Sequence, residues 1–204
     1  MNRKTIISVI FILVFSVPVA LYAQKFEIIP FAGYQTGAKI NAYEGYFRVN
    51  DGFTYGIDAS FGANQAYRIE VSYGRTASNL TYTLDDVTEP KCDLAVTYIS
   101  LGGVVQINPE NMVAPFGKIS LGALYYNPLN SDIAKENVMH FSFSSGVKVH
   151  LNDHFGVRLQ ATLHLPVFYE GMLFEEAAPP PEEGMKTKVG GVQGDFTAGA
   201  AFRF

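Results

Sequence analysis

The chain has 204 residues, with 15 basic and 19 acidic side chains for a formal net charge of −4, and a single cysteine. This length suits one domain. One cysteine excludes an internal disulfide framework, and an acidic chain without basic clusters excludes nucleic acid as an expected partner.

The N-terminus comes first in chain order. Arg3 and Lys4 precede an apolar run from Ile6 to Val17, then Pro18 and Leu21-Tyr22-Ala23. A short basic region, an apolar core and a small residue at the cut site predict a cleaved secretory signal peptide over residues 1–23, which leaves 24–204 as the folded domain. A membrane anchor would need about 20 apolar residues, and Pro18 breaks this run. Cleavage removes Arg3 and Lys4 but no acidic residue, so the exported part is more acidic than the whole. Cys92 lies too far from the cut to carry a lipoprotein's lipid. No later segment approaches about 18 consecutive apolar residues, so no spanning helix is expected. If the chain enters a bilayer, only a closed barrel remains, because lipid offers backbone groups no hydrogen-bond partner.

The remaining signal is alternation at period two. A first, less regular segment covers about residues 26–36. In the second, Phe53, Tyr55, Ile57, Ala59 and Phe61 oppose Thr54, Gly56, Asp58, Ser60 and Gly62. In the third, Tyr67, Ile69, Val71 and Tyr73 oppose Arg68, Glu70, Ser72 and Gly74. The fourth, about 94–107, is again less regular; Pro30 in the first segment and Gly102-Gly103 here are candidate bulges. The fifth sets Ile119, Leu121, Ala123 and Tyr125 against Lys118, Ser120 and Gly122. The sixth sets Met139, Phe141, Phe143, Val147 and Val149 against His140, Ser142, Ser144, Gly146 and Lys148. The seventh sets Phe155, Val157, Leu159, Ala161, Leu163 and Leu165 against Gly156, Arg158, Gln160, Thr162 and His164. The eighth sets Val192, Phe196, Ala198, Ala200, Phe202 and Phe204 against Gln193, Asp195, Thr197, Gly199 and Arg203.

Eight such segments predict an all-β fold, an eight-stranded antiparallel up-and-down barrel. A soluble lipocalin-like barrel has the same strand count with its apolar face inside. The transmembrane form is favoured because the polar face is rich in Gly, Ser and Thr, which suits a narrow lumen. Aromatic residues also cluster at segment ends: Phe26, Phe61, Tyr67, Phe155 and Phe204 at one level, Tyr34, Phe53, Tyr73, Tyr125 and Phe168 at the other. Links near 62–66, 107–113 and 152–154 are short and those near 37–51, 78–93, 127–137 and 168–191 are long. That is the habit of barrels with short periplasmic turns and long external loops.

The C-terminal run Phe196-x-Ala198-x-Ala200-x-Phe202-x-Phe204, with Ala114-Pro115-Phe116-Gly117 and Leu151-Asn152-Asp153-His154-Phe155-Gly156, resembles the small outer-membrane barrel family, the OmpA/OmpX-like outer membrane protein beta-barrel domain group. The resemblance covers about residues 25–204. It implies location in the bacterial outer membrane, contact with outer-membrane lipids, and a last strand in which Phe196, Phe202 and Phe204 are the address read by the assembly machinery. Members of that family include adhesins, membrane anchors, small-molecule pores and lipid-modifying enzymes.

The polar rows also predict a lumen cluster. A turn pairing Phe61 with Tyr67 sets Asp58 opposite Glu70, with Arg68 diagonal to Asp58. A turn pairing Leu151 with Phe155 sets Lys148 opposite Arg158. Across a ring of eight strands the two pairs meet, so Asp58 and Glu70 are expected against Lys148 and Arg158, with Arg68 beside them, as a plug in an interior just wide enough for side chains.

Three other features are weighed and set aside. His140-Phe141-Ser142 has the H-x-S spacing of the outer-membrane lipid A deacylases, but the next strand supplies no Glu to orient the His, and His154 falls near that place. His150, His154 and His164 lack an evident metal-ligand spacing. Glu175, Glu176, Glu182 and Glu183 around Pro179-Pro180-Pro181 lack calcium-loop spacing and read as a solvated loop; Met172-Leu173-Phe174 before them reads as the end of the seventh strand. No catalytic residue, metal or cofactor is expected. The expected role is a non-enzymatic barrel with a charge-plugged lumen, whose external loops contact an extracellular partner or support the envelope. A narrow porin-like channel is the second reading, and a lipid A-modifying hydrolase the third.

Overall fold

The computed structural model describes residues 25–41, 46–62, 64, 66–85, 87–129, 135–169, 187–189 and 191–204. The leader over 1–23, the Met172-Leu173-Phe174 run and the acidic, proline-rich stretch after it lie outside the described residues.

The described strands are β1 (Lys25–Gln35), β2 (Ala38–Asn41), β3 (Tyr46–Val49), β4 (Gly52–Gly62), β5 (Tyr67–Leu84), β6 (Val87–Gln106), β7 (Val113–Leu129), β8 (Glu136–His150), β9 (Phe155–Tyr169), β10 (Thr187–Val189) and β11 (Gln193–Arg203). Eight of them close a ring by antiparallel pairing, in the order β1, β4, β5, β6, β7, β8, β9, β11 and back to β1. Strands β2, β3 and β10 are short external additions, β3 on β5 and β10 on β9.

Side-chain direction decides which side faces lipid. Along β5, Tyr67, Ile69, Val71 and Tyr73 are exposed while Arg68, Glu70, Ser72 and Gly74 are buried. The same holds along β7 and β8, where Ile119, Leu121, Met139, Phe141 and Phe143 are exposed and Lys118, Ser120, His140, Ser142 and Ser144 are buried. An apolar face turned outward around a polar interior is stable only where the surroundings are apolar, which is the transmembrane form. Aromatic rings mark both levels of the outer wall. Phe26 lies 4.9 Å from Phe61 and 6.0 Å from Phe204 between centroids, and Phe155 lies 5.5 Å from Phe202. At the other level Tyr34, Phe53, Tyr73, Tyr125 and Phe196 are exposed.

Four local expectations are corrected. Phe61 pairs with Ile69 rather than Tyr67, because Asn64 Oδ1 accepts from the amides of Ala66 and Tyr67 and holds both residues in the turn. The register therefore shifts by two residues, which keeps each side chain on its face. Residues 78–93 are mainly strand, not loop: β5 and β6 pair up to Leu84 and Val87. Thr81, Tyr82, Thr83, Val87 and Thr88 have the β-branched and aromatic side chains that favour strand. Asp85, at φ 46°, makes the tight reversal, a left-handed conformation that Asp tolerates better than most residues. The bulge is at neither glycine of Gly102-Gly103, which pair in continuous register; the register slips between Leu80 and Thr81, where Lys91 is the extra residue. Pro30 keeps its place in the β1–β4 ladder but has no partner assigned on β11, as a residue without an N–H requires on one side.

A strand needs about 9–11 residues to cross a bilayer. Strands β5, β6 and β7 have 18, 20 and 17. The surplus projects from the external end, where the outward row of β5 and β6 turns polar and Asn79 donates to Asp93 at 2.7 Å. With β2 and β3 these extensions form an external sheet.

Candidate functional site

Among the described residues, chemistry-bearing side chains converge in the lumen, where they are organised by depth. Nearest the short turns, Glu27 of β1 gathers cations from three other strands. Lys148 Nζ donates to its Oε2 at 2.5 Å, Arg68 Nε stands 3.9 Å from Oε2 and Arg203 Nε 4.0 Å from Oε1. Arg68 is further fixed by donating to Ser60 Oγ at 2.8 Å and the Ser60 carbonyl at 3.0 Å. Arg203 also meets His150 Nδ1 at 2.7 Å.

One step deeper, Glu70 is the hub. Arg158 Nη1 and Nη2 donate to its two oxygens at 2.5 and 3.2 Å, and Lys118 Nζ donates to Oε1 at 2.7 Å. Asp58 stands 3.7 Å from Arg158 and 3.9 Å from Lys118. Lys118 also donates to Ser72 at 2.6 Å, and the Arg158 guanidinium lies 4.2 Å above the Phe116 ring. All of these charged groups except Arg203 are buried. A buried charge is tolerated only when paired and hydrogen-bonded, and here the partners come from across the ring.

The geometry thus brings Asp58, Glu70 and Arg158 together. Lys148 and Arg68 stand against Glu27, one step nearer the short turns. Asp58 pairs in register with Ser72, and Glu70 with Ser60, as the shifted turn requires. Three participants escape sequence reasoning: Glu27, Lys118 and Arg203. Glu27 lies on the strand whose alternation Ile29 and Phe31 blur, since both are apolar and point inward. Lys118 stands on the polar face of β7, but its partner is on β5, and only the tilt of the strands reveals that two such rows share a depth.

Deeper still, Tyr98 lies 4.9 Å from the His164 ring and 6.2 Å from that of His140. His164 Nε2 pairs with Asp195 Oδ2 at 2.8 Å. Ser142 is the register partner of His164, and its hydroxyl is 2.6 Å from that of Ser120. An acid therefore does orient a histidine near Ser142, but it comes from β11 and the histidine is His164, not His140. Ser142 is 2 % exposed and His164 1 %, both facing the lumen rather than lipid. His150 and His154 share no ligand set, and among the described residues no three His, Cys, Asp or Glu side chains come together as metal ligands.

The external end of the lumen is lined by apolar side chains. Val49, Leu80, Leu94, Val96, Leu124, Tyr126 and Val138 form one buried cluster, with Phe31, Phe47 and Cys92 packed against it. Cys92 is half-buried and unpaired.

The model of the family described as outer membrane protein beta-barrel domain matches residues 7–204. No curated protein sequence matches. Among solved structures, the chain is similar to Neisserial surface protein A (TM-score 0.60, 15 % identity, covering 88 % of this chain and 97 % of that one). It is also similar to the outer membrane protein OprG of Pseudomonas aeruginosa (0.63, 10 %, 89 % and 96 %). A third is Ail, the attachment invasion locus protein of Yersinia pestis (0.50, 12 %, 89 % and 99 %). At these identities the likeness is one of fold.

Proposed function

This chain belongs to the outer membrane protein beta-barrel domain family and lies in the bacterial outer membrane, and we propose that it is a non-enzymatic barrel with a plugged lumen whose external sheet makes surface contacts. The observation that carries the plug is Glu70, held at once by Lys118 of β7 and Arg158 of β9 on the far side of the ring. Such cross-lumen pairs occupy the space an ion would need. The apolar cluster beyond them adds a second obstruction, since a hydrated ion would have to shed its water to pass.

The contact role is supported by the external sheet. It carries Lys39 over the Tyr46 ring at 3.6 Å, the Phe47–Tyr82 pair at 4.8 Å, and exposed Leu84 and Val87 at the hairpin tip. Assembly through Phe196, Phe202 and Phe204 is part of the same proposal, and all three present their rings to the outside.

The test of the plug is conductance in planar bilayers. Purified barrel should show no steady ion current, and Glu70→Ala with Arg158→Ala should raise it. A steady current from the unaltered chain would replace the plug with the narrow-channel reading. For the contact role, shortening the hairpin between Ser78 and Asp93 should lower attachment of expressing cells to host or neighbouring cells without changing barrel folding; unchanged attachment would remove that role.

A further inference from the structure

The outer wall over β4 and β5 continues upward into the external sheet, and three basic side chains gather on it. Strand β3 pairs with β5 beyond the point where β4 ends, and β2 pairs with β3. Val49 lies in the apolar cluster and Phe47 packs against it, so the alternate residues Tyr46 and Arg48 face outward. Lys39 of β2 is the direct cross-strand partner of Arg48, and both are exposed. Arg48 stands opposite Thr81 of β5 on its other side. Farther down the same outward row of β5 comes Arg75, half-buried between Tyr55 and Thr97.

Like charges directly opposite across a ladder repel, and the protein does not answer them itself. Among the described residues no carboxylate lies within ion-pairing distance of Lys39, Arg48 or Arg75. Two acids of the same sector are engaged elsewhere. Asp51 accepts from the Gly37 amide at 2.7 Å and the Tyr34 hydroxyl at 3.4 Å, and Asp93 accepts from Asn79. Lys39 lies over the Tyr46 ring at 3.6 Å instead.

Height decides what meets these charges. Tyr34, Phe53 and Ala77 stand in one cross-strand row at the upper aromatic level. From Ala77 to Thr81 the strand advances about 13 Å, at about 3.3 Å per residue. At a tilt of about 40° that is about 10 Å above the aromatic level. The headgroup layer on each face of a bilayer is about 5–8 Å deep, and long basic side chains extend their charged ends into it. Arg48 and Lys39 therefore meet that layer from above, and Arg75, one outward position below Ala77, meets it from below. Directly beneath lie exposed Phe53, Tyr55 and Ile57, an apolar surface for acyl chains.

We propose that Lys39, Arg48 and Arg75 form a docking site for the phosphate groups of an outer-leaflet glycolipid, whose acyl chains lie along Phe53, Tyr55 and Ile57. The donor set selects phosphate: a guanidinium grips two of its oxygens at once, and an ammonium adds a point charge. A neutral sugar would leave the charges unanswered, and a free phosphate would gain nothing from the apolar surface below. The face is lateral, continuous with the lipid-facing row, whereas a neighbouring cell would meet the hairpin tip at Leu84 and Val87. The site therefore depends on neither the plug nor the attachment role.

Lipid A carrying both phosphates is the probe. The barrel is folded in zwitterionic detergent and titrated with it, and binding is read from side-chain Arg and Lys NMR signals. The signals of Lys39, Arg48 and Arg75 should shift together, and that of Arg203, at the opposite end of the barrel, should stay in place. Lys39→Gln with Arg48→Gln should weaken binding by roughly tenfold to thirtyfold, and added salt should weaken binding to the unaltered chain. Lys135→Gln removes an exposed charge at the external end of β8 and should change nothing. A heat-shifted gel band checks that each variant is folded.

Three results overturn the proposal. The double variant binds as tightly as the unaltered chain, or Lys135→Gln weakens binding as much as the double variant does. Or dephosphorylated lipid A binds as well as the phosphorylated form, which would make the acyl chains the whole of the attraction. Inorganic phosphate that displaces lipid A at equal concentration overturns it too, since the site would then hold a free anion and not a lipid.

Discussion

The two ends of the lumen are lined by opposite chemistry. Toward the short turns the strands carry Glu27, Arg68, Glu70, Lys118, Lys148 and Arg158, and the space is filled by long charged side chains reaching across the ring. Toward the external sheet the inward rows of β5, β6 and β7 carry Leu80, Leu94, Leu124 and Tyr126, and the space is filled by close packing. The charged end is directional, because each pair fixes which strands stand at a common depth. The apolar end is not, and fixes only volume. A narrow barrel that must keep one register has reason to place its ions where the turns are tight.

The comparison predicts its own largest break. Arg158→Ala leaves Glu70 and Asp58 buried with Lys118 as their remaining partner, and removing one member of a buried pair costs about 3–5 kcal/mol. Urea unfolding in lipid vesicles should show that loss. Replacing Glu70 and Arg158 together by leucine should return most of it, because the cost is that of a stranded charge. A single variant losing under about 1 kcal/mol would mean that the pairs are solvated and the plug is not tight.

The apolar end should respond to volume instead. Leu124 has no exposed surface, and Leu124→Ala should cost about 2–5 kcal/mol, depending on how far the cluster collapses into the gap. Here leucine-to-methionine should cost little, whereas Arg158→Lys, which loses the two-pronged grip on Glu70, should remain damaging.

How much of this is legible in the chain differs between the same two ends. Strands β4, β5, β8 and β9 announce themselves because an apolar row faces lipid and a polar row faces a polar lumen, so every step of the alternation is visible. Where the lumen itself turns apolar, both rows look alike. That is why the upper parts of β5 and β6 over 78–93, with Leu80 inward, read as a loop, and why the start of the fourth segment, with Leu94 and Val96 inward, and β1, with Ile29 and Phe31 inward, read as irregular. The faces of Asp58, Glu70, Arg68, Lys148 and Arg158 follow from parity alone, but their partners do not. Partnership depends on the stagger accumulated around the ring, which moved Lys148 and Arg68 to Glu27 and brought Lys118 to Glu70.

Between the two ends a smaller effect sharpens the boundary. A methyl group on Gly74 would overlap the Tyr98 ring, its hydroxyl included. Gly74→Ala therefore forces Tyr98 out of its place against His164, at about 1–3 kcal/mol for overpacking. The imidazole signals of His140 and His164 should move with it, while the Glu27 group below stays unchanged. Movement of the Arg203–His150 signals instead would show that the layers are coupled rather than stacked.

The smallest expected effect falls on Ser142, where the structural and enzymatic readings part most cleanly. Its hydroxyl is 2.6 Å from Ser120 and 2 % exposed, so Ser142→Ala removes one neutral hydrogen bond and leaves the Ser120 hydroxyl to find another partner. That change should cost about 0.5–1.5 kcal/mol and leave the acylation of lipid A in expressing cells unaltered. A deacylase would behave otherwise: the unaltered chain would shorten lipid A by one acyl group, and Ser142→Ala would restore it with the barrel still folded. His164→Gln decides the same question from the other side. It breaks the pair with Asp195, so a catalytic role predicts loss of deacylation as complete as that of Ser142→Ala, whereas a purely structural pair predicts a shift in unfolding midpoint and no change in the lipid.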